Sequence, residues 1–189
     1  MNLFKTEKIR TREVTTEIVL RDKNGNIKPL WNETRLGRFL REKLAITARI
    51  PLITGFYALK LVTHNLITNV GHAGANGRMS NQGGYSAFTA LAIGTGTTAA
   101  AAGDTALQTE ITTNGGARAA ATATQVTTSV SNDTTQLVKT WTFTGSFAVT
   151  EEGILDNASS GGNLLAHQVF SAINVISGDS LQVTHKYQT

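Results

Sequence analysis

The sequence predicts a mainly β protein, an antiparallel β-sandwich of jelly-roll or immunoglobulin-like type that follows an N-terminal arm. Two observations support this class. Beyond residue 85, short segments alternate apolar and polar residues and are separated by Gly- and Ser-containing turns, with no helices in regular alternation. Charged residues make up only 16% of the 189 residues, and threonine, serine, alanine and glycine dominate the second half. This length fits one domain with an appendage.

Charge divides the chain into a basic and an acidic part. Residues 1–60 hold 13 lysines and arginines against 6 acids, whereas residues 61–189 hold 4 against 7. Because acids are interleaved with the bases and aromatic residues are few, the basic part favours contact with an acidic protein surface over nucleic acid. The residues predicted to contact a partner are Arg10, Arg12, Arg21, Arg35, Arg38 and Arg41.

The arm, residues 1–60, is predicted to contain a hairpin and one amphipathic helix. Residues 12–31 form two β-branched runs around Asn24-Gly25, a dipeptide that tolerates the positive φ angles of a tight turn. Residues 32–46 follow with apolar side chains at helical spacing and arginines on the other faces. Pro51 and Gly55 end this pattern.

Residues 61–84 are predicted to connect the arm to the body. Their first part is apolar and fits either a strand or a helix, and a helix near Asn65–Ala75 is favoured. Residues 71–84 are rich in Gly and Asn, which indicates a loop or a weakly stable helix end.

The β-sandwich domain is assigned to residues 85–189. Residues 88–94 predict a short buried strand, residues 104–111 a helical turn that Asp104 opens with Leu107 inward, and residues 117–130 a strand of small side chains.

Strict alternation over residues 136–150 predicts one long half-buried strand. Its apolar face comprises Leu137, Trp141, Phe143, Phe147 and Val149. Two further strands are predicted in residues 163–175 and 181–188, separated by a turn at residues 177–180.

Residue patterns give no positive sign of catalysis, cofactor binding or metal binding. Gly94–Ala99 satisfies the dinucleotide fingerprint, but the acid that should follow about 20 residues later is missing, so a tight turn is favoured. The four histidines lack metal-ligand spacing, and the chain has no cysteine. His185 is expected to be a satisfied core or interface histidine. No apolar run is long enough for a membrane span.

The neighbouring carboxylates Glu151 and Glu152 are expected to point to opposite faces of a strand, so they cannot flank one substrate atom as a glycosidase pair does. Their predicted place is the edge of a turn before Gly153.

Several segments together resemble virion structural proteins of tailed bacteriophages. They include RDKNGNIKPLW, VTHNLITNVG, LAIGTGTTAAAAGDTALQTEI, a downstream Arg118, TEEGILDN and GGNLLAHQVF, and they end with SGDSLQVTHKY. Their order covers most of residues 20–188. Relatives tend to have EAGL or EIGLF where this chain has Glu152-Gly153-Ile154-Leu155.

The resemblance implies a non-enzymatic component of the virion and no catalytic residues. The favoured role is a capsid cement or decoration protein that binds the major capsid protein through the arm, with the body as a homotrimer or other symmetric homo-oligomer. A tail, baseplate or fibre-attachment protein is the alternative. A receptor- or glycan-binding module would need exposed aromatic residues, for which only Trp31 and Tyr85 are candidates.

Overall fold

The computed structural model describes residues 12–31 and 58–188. They form eleven strands and one α-helix. The strands are β1 (Arg12–Arg21), β2 (Ile27–Lys28), β3 (Leu61–His64), β4 (Leu66–Ile67), β5 (Ala90–Gly94), β6 (Ala119–Ala120), β7 (Thr122–Val126), β8 (Thr134–Thr142), β9 (Phe147–Leu155), β10 (Leu164–Val175) and β11 (Ser180–Gln188), and the helix is α1 (Asn69–Ser80).

Two antiparallel sheets pack face to face, which confirms the predicted β-sandwich. The larger sheet has the order β2-β1-β11-β8-β7, with β3 pairing beside β2 on the free side of β1. The smaller sheet has the order β4-β10-β9-β5-β6. The core lies between them and includes the fully buried Ile18, Leu137, Ile154 and Leu181.

On each lateral side of the sandwich, one continuous segment of the chain contributes an edge strand to one sheet and then an edge strand to the other. On one side, β3 joins the larger sheet and β4 the smaller one, with Asn65 between them. On the other side, β6 joins the smaller sheet and β7 the larger one, with Ala121 between them. The two sheets are therefore covalently tied along both sides.

Strand β1 is part of the sandwich body and not of a separate arm. It pairs with β11 over its length, and Ile18 and Leu20 are buried in the core. The predicted hairpin is confirmed, because β1 and β2 pair antiparallel around Gly25, whose φ is +83°. The charge distribution thus does not mark a structural boundary at residue 60. The predicted helix of residues 32–46 lies outside the described residues.

The single long strand predicted over residues 136–150 is wrong. The chain turns at residues 143–146, so β8 belongs to the larger sheet and β9 to the smaller. Backbone hydrogen bonds from Phe143 to Asp179 and from Gly178 to Phe143 hold this corner beside the β10–β11 turn. The apolar alternation continues through the corner because Phe143 stays buried between the sheets.

Helix α1 begins four residues and ends five residues later than the sequence predicts, because residues 66–67 pair with β10 as β4 and Thr68 then caps the helix. Thr68 caps the helix by accepting a hydrogen bond from the Gly71 amide. A Cβ on Gly71 would lie 2.0 Å from the Leu165 carbonyl oxygen, and one on Gly74 would lie 2.5 Å from the Phe88 ring. Glycine therefore lets the helix approach β10 closely, and this packing outweighs its poor helix propensity.

Candidate functional site: two carboxylate clusters on strand β9

Strand β9 carries two adjacent carboxylates, Glu151 and Glu152, in its middle. Both side chains are fully buried, and they point to opposite faces of the smaller sheet, as the sequence predicted. Their predicted position at the edge of a turn is wrong, since β9 continues to Leu155. Each carboxylate bonds to a fully buried histidine, His167 for Glu151 and His185 for Glu152.

The outer cluster fastens the loop of residues 95–110 to the smaller sheet. Oε1 of Glu151 accepts hydrogen bonds from the Gly96 amide at 2.9 Å and the Thr109 amide at 2.7 Å. Oε2 accepts from the Gln108 amide at 2.9 Å and lies 3.0 Å from His167 Nε2. These four donors occupy the roughly four lone-pair positions of a carboxylate, so none remains for a ligand.

The hydrogen bonds keep Glu151 ionised. Burial by itself raises the pKa of the Glu151 carboxyl, but the His167 ring and the three backbone amides outweigh burial and lower the pKa to about 2. Glu151 is therefore an internal anion whose charge is neutralised by the loop and the histidine.

His167 links Glu151 to the loop a second time. Its Nδ1 lies 2.7 Å from Oδ2 of Asp104, which also accepts the Ala101 amide at 2.8 Å. Burial lowers the pKa of His167, but the carboxylates of Glu151 and Asp104 outweigh this effect and raise it above the ordinary value. The Ala101 amide and the imidazole outweigh desolvation and hold the pKa of Asp104 below its usual range. The chain Glu151–His167–Asp104 thus favours two carboxylates around an imidazolium.

The glycines of the dinucleotide-like motif have a different role here. A Cβ on Gly94 would lie 2.4 Å from Oε1 of Glu151, and one on Gly96 would lie 2.6 Å from the same atom. The glycines allow the backbone to approach an anion, as in the nucleotide fingerprint, but the anion is the protein's own Glu151. The residues after Gly96 form a loop, and the helical turn predicted at Asp104 is also absent from this described segment.

The inner cluster ties the two sheets together. Oε2 of Glu152 lies 2.5 Å from Nε2 of His185 on β11, and Oε1 accepts from Nδ2 of Asn65 at 2.9 Å. The Thr16 hydroxyl lies 2.6 Å from Oδ1 of Asn65 and 3.2 Å from Nδ1 of His185. His185 is therefore a satisfied core histidine, as expected, and the cluster joins β1, β9, β11 and the crossover between β3 and β4.

An ion pair fastens the loops at the end of the smaller sheet. Arg118 bonds to Glu110 with two nitrogens, Nε donating to Oε1 at 2.7 Å and Nη2 contacting Oε2. Its Nη1 donates to the Gly161 carbonyl at 2.7 Å. Both charged side chains are largely buried. Glu110 therefore pairs with Arg118, while Leu107 points inward as predicted.

The arginines predicted to bind a partner are only partly described. Arg12 begins β1, and Arg21 ends it with its guanidinium donating to the Gly25 carbonyl at 3.1 Å. The others, Arg10, Arg35, Arg38 and Arg41, lie outside the described residues.

Within residues 12–31 and 58–188, no group of His, Asp and Glu is arranged to hold a metal ion. His64 and His72 are exposed on separate elements.

The fold and these clusters define a class: an antiparallel β-sandwich whose buried charged groups fasten loops and sheets. No family model, curated protein or solved structure matches the chain. In the described part of the chain, no helix has the length and apolar character needed to cross a membrane.

Proposed function

We propose that this chain is a non-enzymatic structural component of a tailed-phage particle, where it acts as a capsid cement or decoration protein bound to the major capsid protein. The observation that carries the proposal is the meeting of three phage-like sequence blocks at Glu151. The TEEGILDN block contains Glu151 itself, the LAIGTGTTAAAAGDTALQTEI block provides Gly96, Gln108 and Thr109, and the GGNLLAHQVF block provides His167.

This arrangement supports a structural role because these residues hold the protein's own backbone. A catalytic carboxylate needs a free lone pair for a substrate proton, whereas those of Glu151 are all bonded to internal donors. A particle protein needs a rigid body without a cofactor, and charged groups that fasten a loop of small residues provide it.

We assign the attachment of this chain to the capsid protein to the arginines that the sequence predicts to contact a partner. The described residues on either side of residues 32–57 are adjacent, since the Leu30 amide donates to the Ala58 carbonyl at 2.9 Å. Because residues 32–57 join the body at two neighbouring points, contact with a neighbouring protein is assigned to them. Arg35, Arg38 and Arg41 in this segment would bind an acidic surface of the capsid protein.

Mass spectrometry of purified particles and gold labelling in electron microscopy test the proposal together. A head cement protein should be present in many copies and labelled over the head. Label confined to the tail would support the tail or baseplate alternative in its place. Absence of the chain from purified particles would contradict both.

The arginine assignment has a matched control. Replacing Arg35, Arg38 and Arg41 with Gln should reduce incorporation into particles. Replacing Arg78, Lys139 and Lys186 of the body with Gln removes the same charge and should leave incorporation unchanged. Equal losses for both triple variants would show that total charge, not the arm, governs attachment.

A further inference from the structure

Among the described residues, the lateral side of the sandwich formed by β7 lacks the features that keep sheet edges from pairing. β7 is the last strand of the larger sheet, and only β8 pairs with it among the described strands. A strand paired on one side directs half of its backbone N–H and C=O groups outward. Four of its five residues, Thr122 to Gln125, are exposed. Their exposure on both faces shows that β7 projects beyond the smaller sheet, whose adjacent strand β6 has only two residues.

Charge is missing along this edge. Between Arg118 and Asp133 the chain holds no charged residue and no proline, and β7 itself reads Thr-Ala-Thr-Gln-Val. Natural sheet edges are usually protected by lysines, prolines, bulges or covering loops. Strand β7 pairs with β8 in continuous register without a bulge.

The opposite side of the same sheet provides an internal comparison. There β2 and β3 share the free side of β1, so that edge is divided into strands of two and four residues. Lys60 and Glu17 form an ion pair at 2.9 Å beside it. The molecule thus interrupts and charges one edge of its larger sheet while leaving the other regular and neutral.

We propose that β7 pairs with β7 of a second copy, antiparallel and about a two-fold axis near Thr124, so that two larger sheets join into one. A neutral edge suits self-pairing, since a two-fold axis places every charge on this short strand near its own like-charged copy. Threonine and valine favour strand pairing and present methyl groups across the junction. An isologous contact closes on itself and therefore gives a discrete dimer instead of a filament.

Cysteine cross-linking tests the geometry directly, because the natural chain contains no cysteine. In Thr124→Cys the two sulfurs would lie on directly opposite residues, where a Cα separation of about 4.5–5.5 Å suits a disulfide. Mild oxidation should give a covalent dimer. Thr140→Cys, at an exposed position of β8, is the matched control and should stay monomeric under the same oxidant.

Charge at the edge gives a second, reversible test in light scattering of the purified chain at micromolar concentrations. Ala123→Lys with Gln125→Lys should weaken dimerisation by about tenfold, as two or more opposed like-charge pairs would. Thr140→Lys with Thr142→Lys adds the same charge at exposed positions of β8 and should leave dimerisation unchanged.

A wild-type monomer throughout the concentration range, equal cross-linking at residues 124 and 140, or equal dimerisation of the two lysine variants would each overturn the pairing. The purified chain alone is used, so the result is independent of whether the protein joins a particle.

Discussion

Replacing Glu151 with Gln should lower the free energy of unfolding by about 3 kcal/mol at neutral pH. The pKa of Glu151 falls from 4.5 to about 2 on folding, and each unit corresponds to about 1.4 kcal/mol. Glutamine keeps the size of the side chain but carries an amide group that donates. That group would face at least one of the donors that now meet the carboxylate, namely the Gln108 amide or the amides of Gly96 and Thr109.

The pH dependence distinguishes this electrostatic cause from a general packing defect. Because the folded-state pKa is lowered, the stability that Glu151 contributes is present above pH 4.5 and is lost as the pH falls towards about 2. The difference between wild type and Glu151→Gln should therefore shrink by about 2 kcal/mol between pH 7 and pH 3.

Urea unfolding at both pH values measures this difference. Glu17→Gln is the control, because Glu17 forms an exposed ion pair with Lys60 and such pairs contribute about 0–1 kcal/mol. A Glu151→Gln protein as stable as wild type at pH 7, or a deficit that is the same at pH 3, would refute the reasoning.

Three further variants test neighbouring parts of the argument. Gly96→Ala should cost about 1–3 kcal/mol in urea unfolding because its Cβ would meet Glu151, whereas Gly103→Ala in the same loop has open space and should cost little. Because the pKa of His167 is raised on folding, its contribution to stability is complete below pH 6.5 and is lost as the pH rises through the folded-state pKa. In His167→Gln the free energy of unfolding should therefore depend less on pH between pH 6 and pH 9 than in wild type. His72→Gln, at an exposed position, is the control and should leave that dependence unchanged. Ile18→Ala should cost about 2–5 kcal/mol if β1 belongs to the core, and a melting temperature equal to that of wild type would contradict its place there.

The sequence predicted well what depends on local alternation. The residues Leu137, Trp141, Phe143 and Val149 are buried as expected, and the strands after residue 163 lie where the pattern placed them. The sequence did not reveal the corner between β8 and β9. The alternation of apolar and polar residues, with a period of two, continues unchanged when the chain passes from one sheet to the other around the same core. Only the Thr144-Gly145-Ser146 sequence marks the turn.

The candidate clusters depend on contacts that a single sequence does not encode locally. Opposite orientation of Glu151 and Glu152 follows from strand geometry and was predicted, but their partners are 16 to 136 residues away along the chain. The available signal was burial: Glu151 and Glu152 lie between Val149 and Ile154, and His167 lies in an apolar strand. Polar groups enclosed by apolar neighbours must bond to one another, which would have favoured paired clusters over a turn edge.

Part of the smaller sheet is buried on both faces, which limits where partners can bind. Its inner face forms the core, and the loop of residues 95–110 covers the part of the outer face where Leu107 packs against Leu155 and Leu164. At the other end of β9 and β10, Ala148, Ser171 and Asn174 are exposed. Helix α1 packs on β10, which the Gly71 contact requires. Of the described surface, the regular unpaired edge belongs to the larger sheet. The two carboxylate clusters on β9 therefore have distinct roles: the Glu151 cluster fastens the loop of residues 95–110 to the smaller sheet, and the Glu152 cluster joins that sheet to the larger one.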